Sequence, residues 1–305
     1  MEKKAEIYRG KTKAVFATEN ESLVVLENFD ALTKFDTPEL TAQMKDKAKV
    51  ATQTTCNVFR FLQAAGIPVA FREQLSETEF LVDKCQMIPL EVIIRRFAVG
   101  SYLNRVPKLK IETREPYRFE KLVFEIFLKT TGKLIKSFNG REIGTVPVED
   151  PLIDLKPGAD YWKLRHPKVP YSESGSDLEI TVYPTDIVPG GENILPQIEE
   201  ITRQTFLLLE DAWAQLECHL IDFKIEFGIT TDGYLVVADV IDNDSWRLRT
   251  KNWEELSKQL FRDNVNMEEV SSKYQLVAEL SDNFWDFLTE ASIYCDEQYE
   301  MEDRL

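Results

Sequence analysis

The chain has 305 residues, of which 43% are hydrophobic and 30% charged, and its formal net charge is −16. This hydrophobic content can fill the core of one large domain or two, whereas the acidic excess repels nucleic acids and anionic membranes. The four cysteines lie far apart without a C-x-x-C pair, which predicts a reducing compartment and no zinc framework. We expect a cytoplasmic protein, because the N-terminus lacks an apolar signal segment and no run approaches the roughly 18 apolar residues of a membrane span.

Residues 1–88 predict an N-terminal, β-rich lobe. Within it, residues 4–28 are typical of an antiparallel meander, and residues 69–83 of a second hairpin. A helix is predicted over residues 38–65, because Thr37 is a suitable N-cap and a proline follows it at the first helical position.

Residues 89–305 predict a larger lobe that mixes strands and helices. Residues 130–192 are rich in Pro, Gly, Ser and charge, and predict an enlarged, irregular surface excursion. The absence of a βαβ rhythm places the whole chain in the α+β class. The regular elements predicted in this lobe are strands over 90–95 and 119–128 and helices over 194–216 and 252–298.

Residues 221–239 predict a hairpin whose polar face could hold a cation. Apolar and polar residues alternate along its first strand, which is typical of a half-buried strand, and Asp232-Gly233 predicts a type I′ turn. Counting outward from this turn places Glu226 opposite Asp239, with Lys224 on the same face. Two carboxylates with a lysine between them favour a metal cation held against an anionic ligand. A solvent-facing hairpin with ordinary surface charges is the alternative.

Other motifs could bind anions. Residues 10–13 (Gly-Lys-Thr-Lys) form a small turn that can offer N–H groups and ammonium charge to phosphates, although the motif is weak and a hairpin with solvated lysines is the favoured interpretation. A strand that ends at Arg95 leads to Gly100-Ser101, which could open a short helix and bind phosphate or carboxylate. Arg247 follows the predicted carboxylate-bearing strand, and Arg262 alone would be interpreted as a helix-surface charge.

The order and spacing of these motifs resemble the phosphoribosylaminoimidazole-succinocarboxamide synthase (SAICAR synthetase) family of purine biosynthesis. The resemblance covers roughly residues 3–129 and 194–263, and the chain length predicts the single-function form, without the carboxylase domain of the animal proteins. The motifs that carry it are Tyr8–Lys13, Met87–Glu91, Arg95–Ser101, Asp222–Gly228 and Ala238–Leu248.

The resemblance implies a two-lobed fold related to ATP-grasp enzymes, with the N-terminal lobe covering the nucleotide. It implies an ATP-dependent ligase that joins L-aspartate to 5-amino-1-(5-phospho-D-ribosyl)imidazole-4-carboxylate and forms the succinocarboxamide, ADP and phosphate. Magnesium would neutralise the charge that develops during phosphoryl transfer. A homodimer is the expected assembly, with no nucleic acid or membrane partner.

The resemblance also implies site residues in four groups, which serve the metal, the nucleotide, the transferred phosphoryl group and the ribotide. These are Glu226 and Asp239 for magnesium; Lys11, Thr12, Lys13 and Met87 for ATP; Lys129 and Lys224 for the phosphoryl group; and Arg95, Ser101, Arg247, Lys258 and Arg262 for the ribotide.

Two positions depart from the family pattern. Val240 replaces an acidic residue of many bacterial members, and the counted pairing puts it on the apolar face. Thr130 follows Lys129 where the family has an acidic pair, and Asp150-Pro151 comes only after a longer stretch, which leaves the contacts to aspartate open. A small-molecule kinase on the related fold and a non-catalytic ATP-sensing module are the alternative functions.

Overall fold

The computed structural model describes residues 2–33, 41–156 and 159–287. None of the helices in these ranges is long and apolar enough to cross a membrane. The strands are β1 (Glu6–Arg9), β2 (Lys13–Ala17), β3 (Leu23–Asn28), β4 (Ala31–Thr33), β5 (Thr41–Gln43), β6 (Phe71–Gln74), β7 (Glu79–Asp83), β8 (Cys85–Met87), β9 (Leu90–Phe97), β10 (Arg118–Leu128), β11 (Leu134–Lys136), β12 (Glu142–Thr145), β13 (Leu152–Asp154), β14 (Trp162–Arg165), β15 (Asp177–Val182), β16 (Cys218–Thr230), β17 (Leu235–Ala238) and β18 (Trp246–Thr250). The α-helices are α1 (Lys47–Ala64), α2 (Ser101–Arg105), α3 (Pro184–Ile187), α4 (Leu195–Gln215), α5 (Gln259–Arg262) and α6 (Met267–Ser281), and 3-10 turns lie at Pro107–Leu109, Gly191–Ile194 and Asp282–Phe287.

The chain forms two compact units that alternate along the sequence. The first unit comprises Met1–Cys85, Gln204–Leu220 and Gly228–Leu305, and the second comprises Gln86–Arg203 and Ile221–Phe227. This division differs from consecutive lobes that meet at residues 88 and 89, because the C-terminal part of the chain joins the N-terminal residues in one unit.

The first unit contains a five-stranded antiparallel sheet in the order β1-β2-β3-β7-β6. Both the predicted N-terminal meander and the hairpin over 69–83 are present in it. Helix α1 packs against strands of this sheet and against α6. Side chains from β4, α1, α5 and α6 fill a hydrophobic core that includes Leu32, Val50, Phe261 and Val270.

Helix α1 begins later than the sequence predicts. Residues 41–43 form β5, which pairs with β4, and the helix starts at Lys47. The Asp30 carboxylate accepts a hydrogen bond from the Ala48 N–H at 2.9 Å and so satisfies one of the first donors of the helix. Asp30 is distant in sequence from the start of the helix, so the sequence pattern did not show this contact. The predicted N-cap, Thr37, and the predicted first helical residue lie outside the described residues.

The second unit is built on an antiparallel sheet in the order β15-β14-β13-β10-β9-β16. The predicted strands over 90–95 and 119–128 are its central pair, β9 and β10. The prediction that residues 130–192 are irregular is wrong. This region contains β11 to β15, of which β13, β14 and β15 extend the sheet. These strands are three to six residues long, too short to give a clear alternation, and they are stabilised by pairing with neighbours.

The hairpin after β16 turns one residue earlier than predicted. Thr230 donates its N–H to the Tyr234 carbonyl at 2.9 Å, and Gly233 donates to the Thr230 carbonyl at 2.9 Å. Gly233 has a φ of +88°, while Asp232 does not have a positive φ, so this is a three-residue loop of the type I plus bulge kind rather than a type I′ turn. The register that placed Glu226 opposite Asp239 is therefore wrong by one residue.

The strands on either side of this turn also differ from the prediction. β16 is buried on both faces rather than half-buried, with Asp222 and Glu226 only 3% and 4% exposed. β17 ends at Ala238, and a turn in which the Ser245 N–H donates to the Asp242 carbonyl precedes β18. Val240 lies in this connection and is half-buried.

Candidate active site

In the second unit, a buried carboxylate on β16 is held between two lysines. The Nζ of Lys129 lies 2.6 Å from Oε2 of Glu226, and the Nζ of Lys224 lies 2.9 Å from Oε1. Lys224 also pairs with Oε1 of Glu91 on β9 at 3.0 Å. Two ammonium groups balance two carboxylates, as a buried charge requires. We call these four residues the lysine cluster; it brings together three of the predicted site residues.

Asp150 lies beside the lysine cluster, which sequence reasoning did not predict. Its Oδ1 accepts a hydrogen bond at 2.8 Å from the N–H of Thr130, the residue after Lys129. Burial, followed by the negative charge of Glu91, raises the pKa of the Asp150 carboxyl to about 6. The Asp-Pro pair at 150–151 was visible in the sequence, but the hairpin of β11 and β12 that returns it to Lys129 was not.

Arg95, a predicted ribotide ligand, is almost fully buried, at 2% exposure. Its Nε donates to Oε2 of Glu125 at 2.7 Å, and its Nη1 donates to Asp222. Arg105, at the end of α2, donates to the other oxygen of Glu125. The charge of Arg95 is thus balanced within the protein, and this network ties β9, β10 and β16 to α2.

The two remaining predicted residues of this unit lie at the start of a helix and at the end of a strand. Ser101 is half-buried and begins α2, as predicted, directly after Gly100, whose φ is +55°. Met87 ends β8 and is 38% exposed. The neighbouring Gln86 donates to the Phe138 carbonyl at 2.9 Å.

In the first unit, the turn between β1 and β2 carries Lys11, Thr12 and Lys13. Gly10 donates its N–H to the Lys13 carbonyl at 2.9 Å, which closes the turn. The Nζ of Lys13 forms an ion pair with Oδ1 of Asp239. The structure thus joins a residue predicted for ATP to one predicted for magnesium.

A second group of charges in the first unit surrounds Asp244. Its carboxylate accepts hydrogen bonds from the Tyr274 hydroxyl at 2.6 Å and from Nζ of Lys258 at 3.2 Å, and Nζ of Lys47 lies 3.4 Å away. Burial raises the pKa of the Asp244 carboxyl, but the two lysines and the tyrosine hydroxyl outweigh it and hold this pKa well below its usual range. Lys258 was predicted as a ribotide ligand, whereas Tyr274 and Lys47 were missed, because neither residue lies in a recognisable motif.

Two predicted arginines of the first unit lie on separate elements. Arg247 is half-buried on β18, and Arg262 is half-buried at the end of α5. The Nε of Arg262 is buried and has no hydrogen-bond acceptor among the residues that the structure describes.

The carboxylates of Glu226 and Asp239 suit a magnesium ion that is also bound by water and phosphates, rather than a metal ion held by protein ligands alone. Within the described part of the chain, no three His, Cys, Asp or Glu side chains form a group that could hold a metal ion. Magnesium is commonly bound by one or two carboxylates, several waters and substrate phosphates. The carboxylates of Glu226 and Asp239 have the oxygen chemistry for that role, and each of them already pairs with a lysine ammonium group.

The family model described as SAICAR synthetase matches residues 6–138 and 170–280, which make up most of the chain. The chain belongs to the SAICAR synthetase family. Residues 139–169, which contain β12, β13 and β14, lie outside the match.

Curated relatives support this membership. The phosphoribosylaminoimidazole-succinocarboxamide synthase of Chloroflexus aggregans is 35% identical over 295 residues, which cover 92% of this chain and 96% of that protein. The synthase of Chloroflexus aurantiacus is 34% identical and covers 89% of this chain and 94% of that protein. The probable multifunctional protein ADE2 of Caenorhabditis elegans is 34% identical over 87% of this chain, but the chain spans only 53% of its length.

Solved structures confirm the predicted two-lobed SAICAR synthetase fold. The synthase of Ehrlichia chaffeensis has a TM-score of 0.69 at 23% identity, covering 91% of this chain and 98% of that one. A SAICAR synthetase solved in complex with ADP has a TM-score of 0.68 at 25% identity, covering 90% of this chain and 96% of that one. The relation to ATP-grasp enzymes stays a prediction.

Proposed function

We propose that the lysine cluster, in which Lys129 and Lys224 flank the buried Glu226, is the phosphoryl-transfer centre of this chain. As a SAICAR synthetase, the chain is an ATP-dependent ligase of purine biosynthesis that joins L-aspartate to 5-amino-1-(5-phospho-D-ribosyl)imidazole-4-carboxylate. The ribotide carboxylate must be activated, because an amide does not form from a free carboxylate. In the proposed course, a carboxylate oxygen bonds to the γ-phosphorus as the bond to ADP breaks. The aspartate amine then attacks the acyl carbon, and phosphate leaves.

The charge arrangement of the lysine cluster supports this role. Phosphoryl transfer is catalysed mainly by positioning and by stabilising negative charge on the transferred group. The Lys129 and Lys224 side chains are 43% and 32% exposed, whereas the Glu226 side chain is 5% exposed. Glu226 therefore fixes two ammonium groups that solvent and ligands can still reach.

Lys11, Thr12 and Lys13 are the proposed phosphate contacts, and Met87 the proposed adenine contact. The turn between β1 and β2 carries N–H groups and ammonium charge on a short loop, a combination that suits phosphates. Glu226 and Asp239 would hold magnesium, which when bound neutralises charge on the phosphates.

The proposed ribotide contacts are Ser101, Arg247, Lys258 and Arg262. Asp244 orients the Lys258 ammonium at 3.2 Å, and the buried Nε of Arg262 lacks an acceptor within the described residues, so an anionic ligand would satisfy it. We assign Arg95 to positioning instead, because Glu125 and Asp222 already occupy its guanidinium.

Product analysis tests the assignment of reaction and centre together. With magnesium, ATP, L-aspartate and the carboxylated ribotide, ADP and phosphate should form in step with the succinocarboxamide. Without aspartate, ADP formation should fall to background. Lys129→Met should abolish the complete reaction. Lys251→Met is the control and should leave the reaction intact, because Lys251 makes only an exposed pair with Glu217. ADP formation indifferent to aspartate would instead identify a kinase, and ATP binding without any product would identify a sensor.

The cytoplasmic location and the homodimer belong to the same proposal. Light scattering of the purified protein measures the assembly, and a mass of one chain, 35.3 kDa, would contradict the dimer.

A further inference from the structure

The chain leaves the lysine cluster directly after Lys129 and returns to it at Asp150. Leu128, the last residue of β10, donates its N–H to the Pro151 carbonyl at 2.9 Å, and Phe127 pairs with Leu152. Between these points, β11 and β12 form a two-stranded sheet of their own. The inserted hairpin therefore begins and ends beside Lys129.

Three side chains close the base of this hairpin, and we call Thr130, Glu149 and Asp150 the clasp. The Thr130 N–H donates to Oδ1 of Asp150 at 2.8 Å, and the Asp150 N–H donates to Oγ1 of Thr130 at 3.0 Å. Oγ1 of Thr130 donates in turn to Oε2 of Glu149 at 2.6 Å, and the other Glu149 oxygen accepts from the Lys133 N–H at 2.8 Å. These contacts leave little freedom to the backbone at residue 130.

The backbone at Asp150 is one that most residues avoid. Its φ is +47°, in the left-handed region, where aspartate and asparagine are tolerated better than other side chains with a Cβ. Backbone strain of this kind persists only where the surroundings fix it. Here the reciprocal bonds with Thr130 and the Pro151 contact supply that constraint.

We propose that the clasp positions Lys129, which makes Asp150 a positioning residue for the ligase reaction. The backbone of Lys129 is fixed on both sides, by Pro151 at residue 128 and by Asp150 at residue 130, and its own N–H donates to the Pro89 carbonyl at 2.9 Å. With its backbone held, the long side chain reaches Glu226 at 2.6 Å. This inference rests on the proposed function, since it gives Lys129 a role in turnover.

Two substitutions of the same residue separate positioning from other roles. Asp150→Asn keeps an oxygen acceptor for the Thr130 N–H and tolerates the positive φ, but removes the charge. Asp150→Gly tolerates the φ and removes the acceptor. We expect Asp150→Asn to keep kcat within about twofold of the unsubstituted protein, and Asp150→Gly to lower kcat at least tenfold with the KM for ATP unchanged. Glu142→Gln, at an exposed position on β12, is the matched control and should behave like the unsubstituted protein.

Different results would overturn the inference. Equal losses in Asp150→Asn and Asp150→Gly would mean that the charge acts directly on a ligand. Normal kcat in Asp150→Gly would mean that the clasp only holds the hairpin.

A second measurement does not depend on turnover. After reductive ¹³C-methylation, the dimethyl-lysine NMR signal of Lys129, assigned by its loss in Lys129→Arg, should shift in Asp150→Gly and stay in place in Asp150→Asn. If the signal moves in this way but no succinocarboxamide forms with any variant, the proposed function fails while the positioning holds. An unmoved signal in Asp150→Gly contradicts the positioning itself.

Discussion

Lys13 and Asp239 form an ion pair although 226 residues separate them along the chain. Lys13 begins β2, and Asp239 follows the end of β17 with a φ of +67°. The pair joins the proposed phosphate-binding turn to a proposed magnesium ligand within one unit. A substitution of either residue should therefore alter the magnesium dependence of the reaction.

Asp239→Asn should raise the magnesium concentration needed for half-maximal turnover by at least tenfold. Asparagine keeps the shape and tolerates the positive φ, but it removes an anionic oxygen ligand. The free energy of unfolding should fall by about 1–3 kcal/mol, because the side chains of Lys13 and Asp239 are only 18% and 20% exposed and the lysine loses its charged partner. Turnover measured against magnesium concentration, with urea denaturation alongside, checks both expectations. Unchanged activity in limiting magnesium would remove Asp239 from the metal site.

Arg95→Lys should destabilise the protein by about 3 kcal/mol, since an ammonium cannot bridge Glu125 and Asp222 as the planar guanidinium does. The matched control is Arg72→Lys, where a 54% exposed arginine pairs with Asp83 and the change should cost under about 1 kcal/mol. Urea denaturation of both variants provides the comparison. Similar costs at the two sites would show that burial of the Arg95 network contributes nothing extra.

Tyr274→Phe should shift acid unfolding to higher pH. The pKa of Asp244 is depressed in the folded state, so its stabilisation is present above the unfolded pKa, about 3.9, and is lost as pH falls through the folded value. Without the tyrosine hydroxyl the folded pKa rises, and the stabilisation is both smaller and lost earlier. We expect a loss of about 1.5–3 kcal/mol at neutral pH, the usual range for a hydrogen bond to a charged group. Unfolding followed by tryptophan fluorescence between about pH 3 and pH 7 measures it, and an unmoved acid limb would contradict the role of Tyr274.

Asp150→Asn should change the pH dependence of stability in the opposite sense. The pKa of Asp150 is about 6 in the folded state and about 3.9 when unfolded, so the folded state holds the proton more tightly. This carboxyl therefore lowers the free energy of unfolding as pH rises from about 4 to about 6, and asparagine should remove that decline. The variant should be at least as stable as the unsubstituted protein at pH 8. A variant less stable at pH 8 would show that the charge itself holds the clasp.

The strongest periodic signals predicted their elements well. The long amphipathic helix α4 and the paired strands β9 and β10 were expected within a few residues, because each has a sustained apolar pattern. The alternation predicted a half-buried β16, but the burial of its polar face was not expected, since ion pairs with Lys129 and Lys224 are invisible in the alternation alone.

Two of the errors arise from partners that are distant in sequence. The start of α1 depends on the Asp30 carboxylate, and the strands after Lys129 depend on pairing with β10. The turn after β16 was placed one residue late, because Asp-Gly suits both a two-residue and a three-residue loop. Tyr274 reaches the candidate site only through tertiary folding, so no local motif could have identified it, and the visible Asp-Pro pair at 150–151 gave no sign of its return to Lys129.

The alternation of the two units along the chain sets an order in which they can be completed during synthesis. The last residues that the second unit needs, Ile221–Phe227, leave the ribosome before α6 exists. Helix α1 therefore lacks its packing partner α6 until residues 267–281 have been made. Until then the face of α1 that packs on α6 stays uncovered, so we expect C-terminal truncations that remove α6 to aggregate rather than to fold in part.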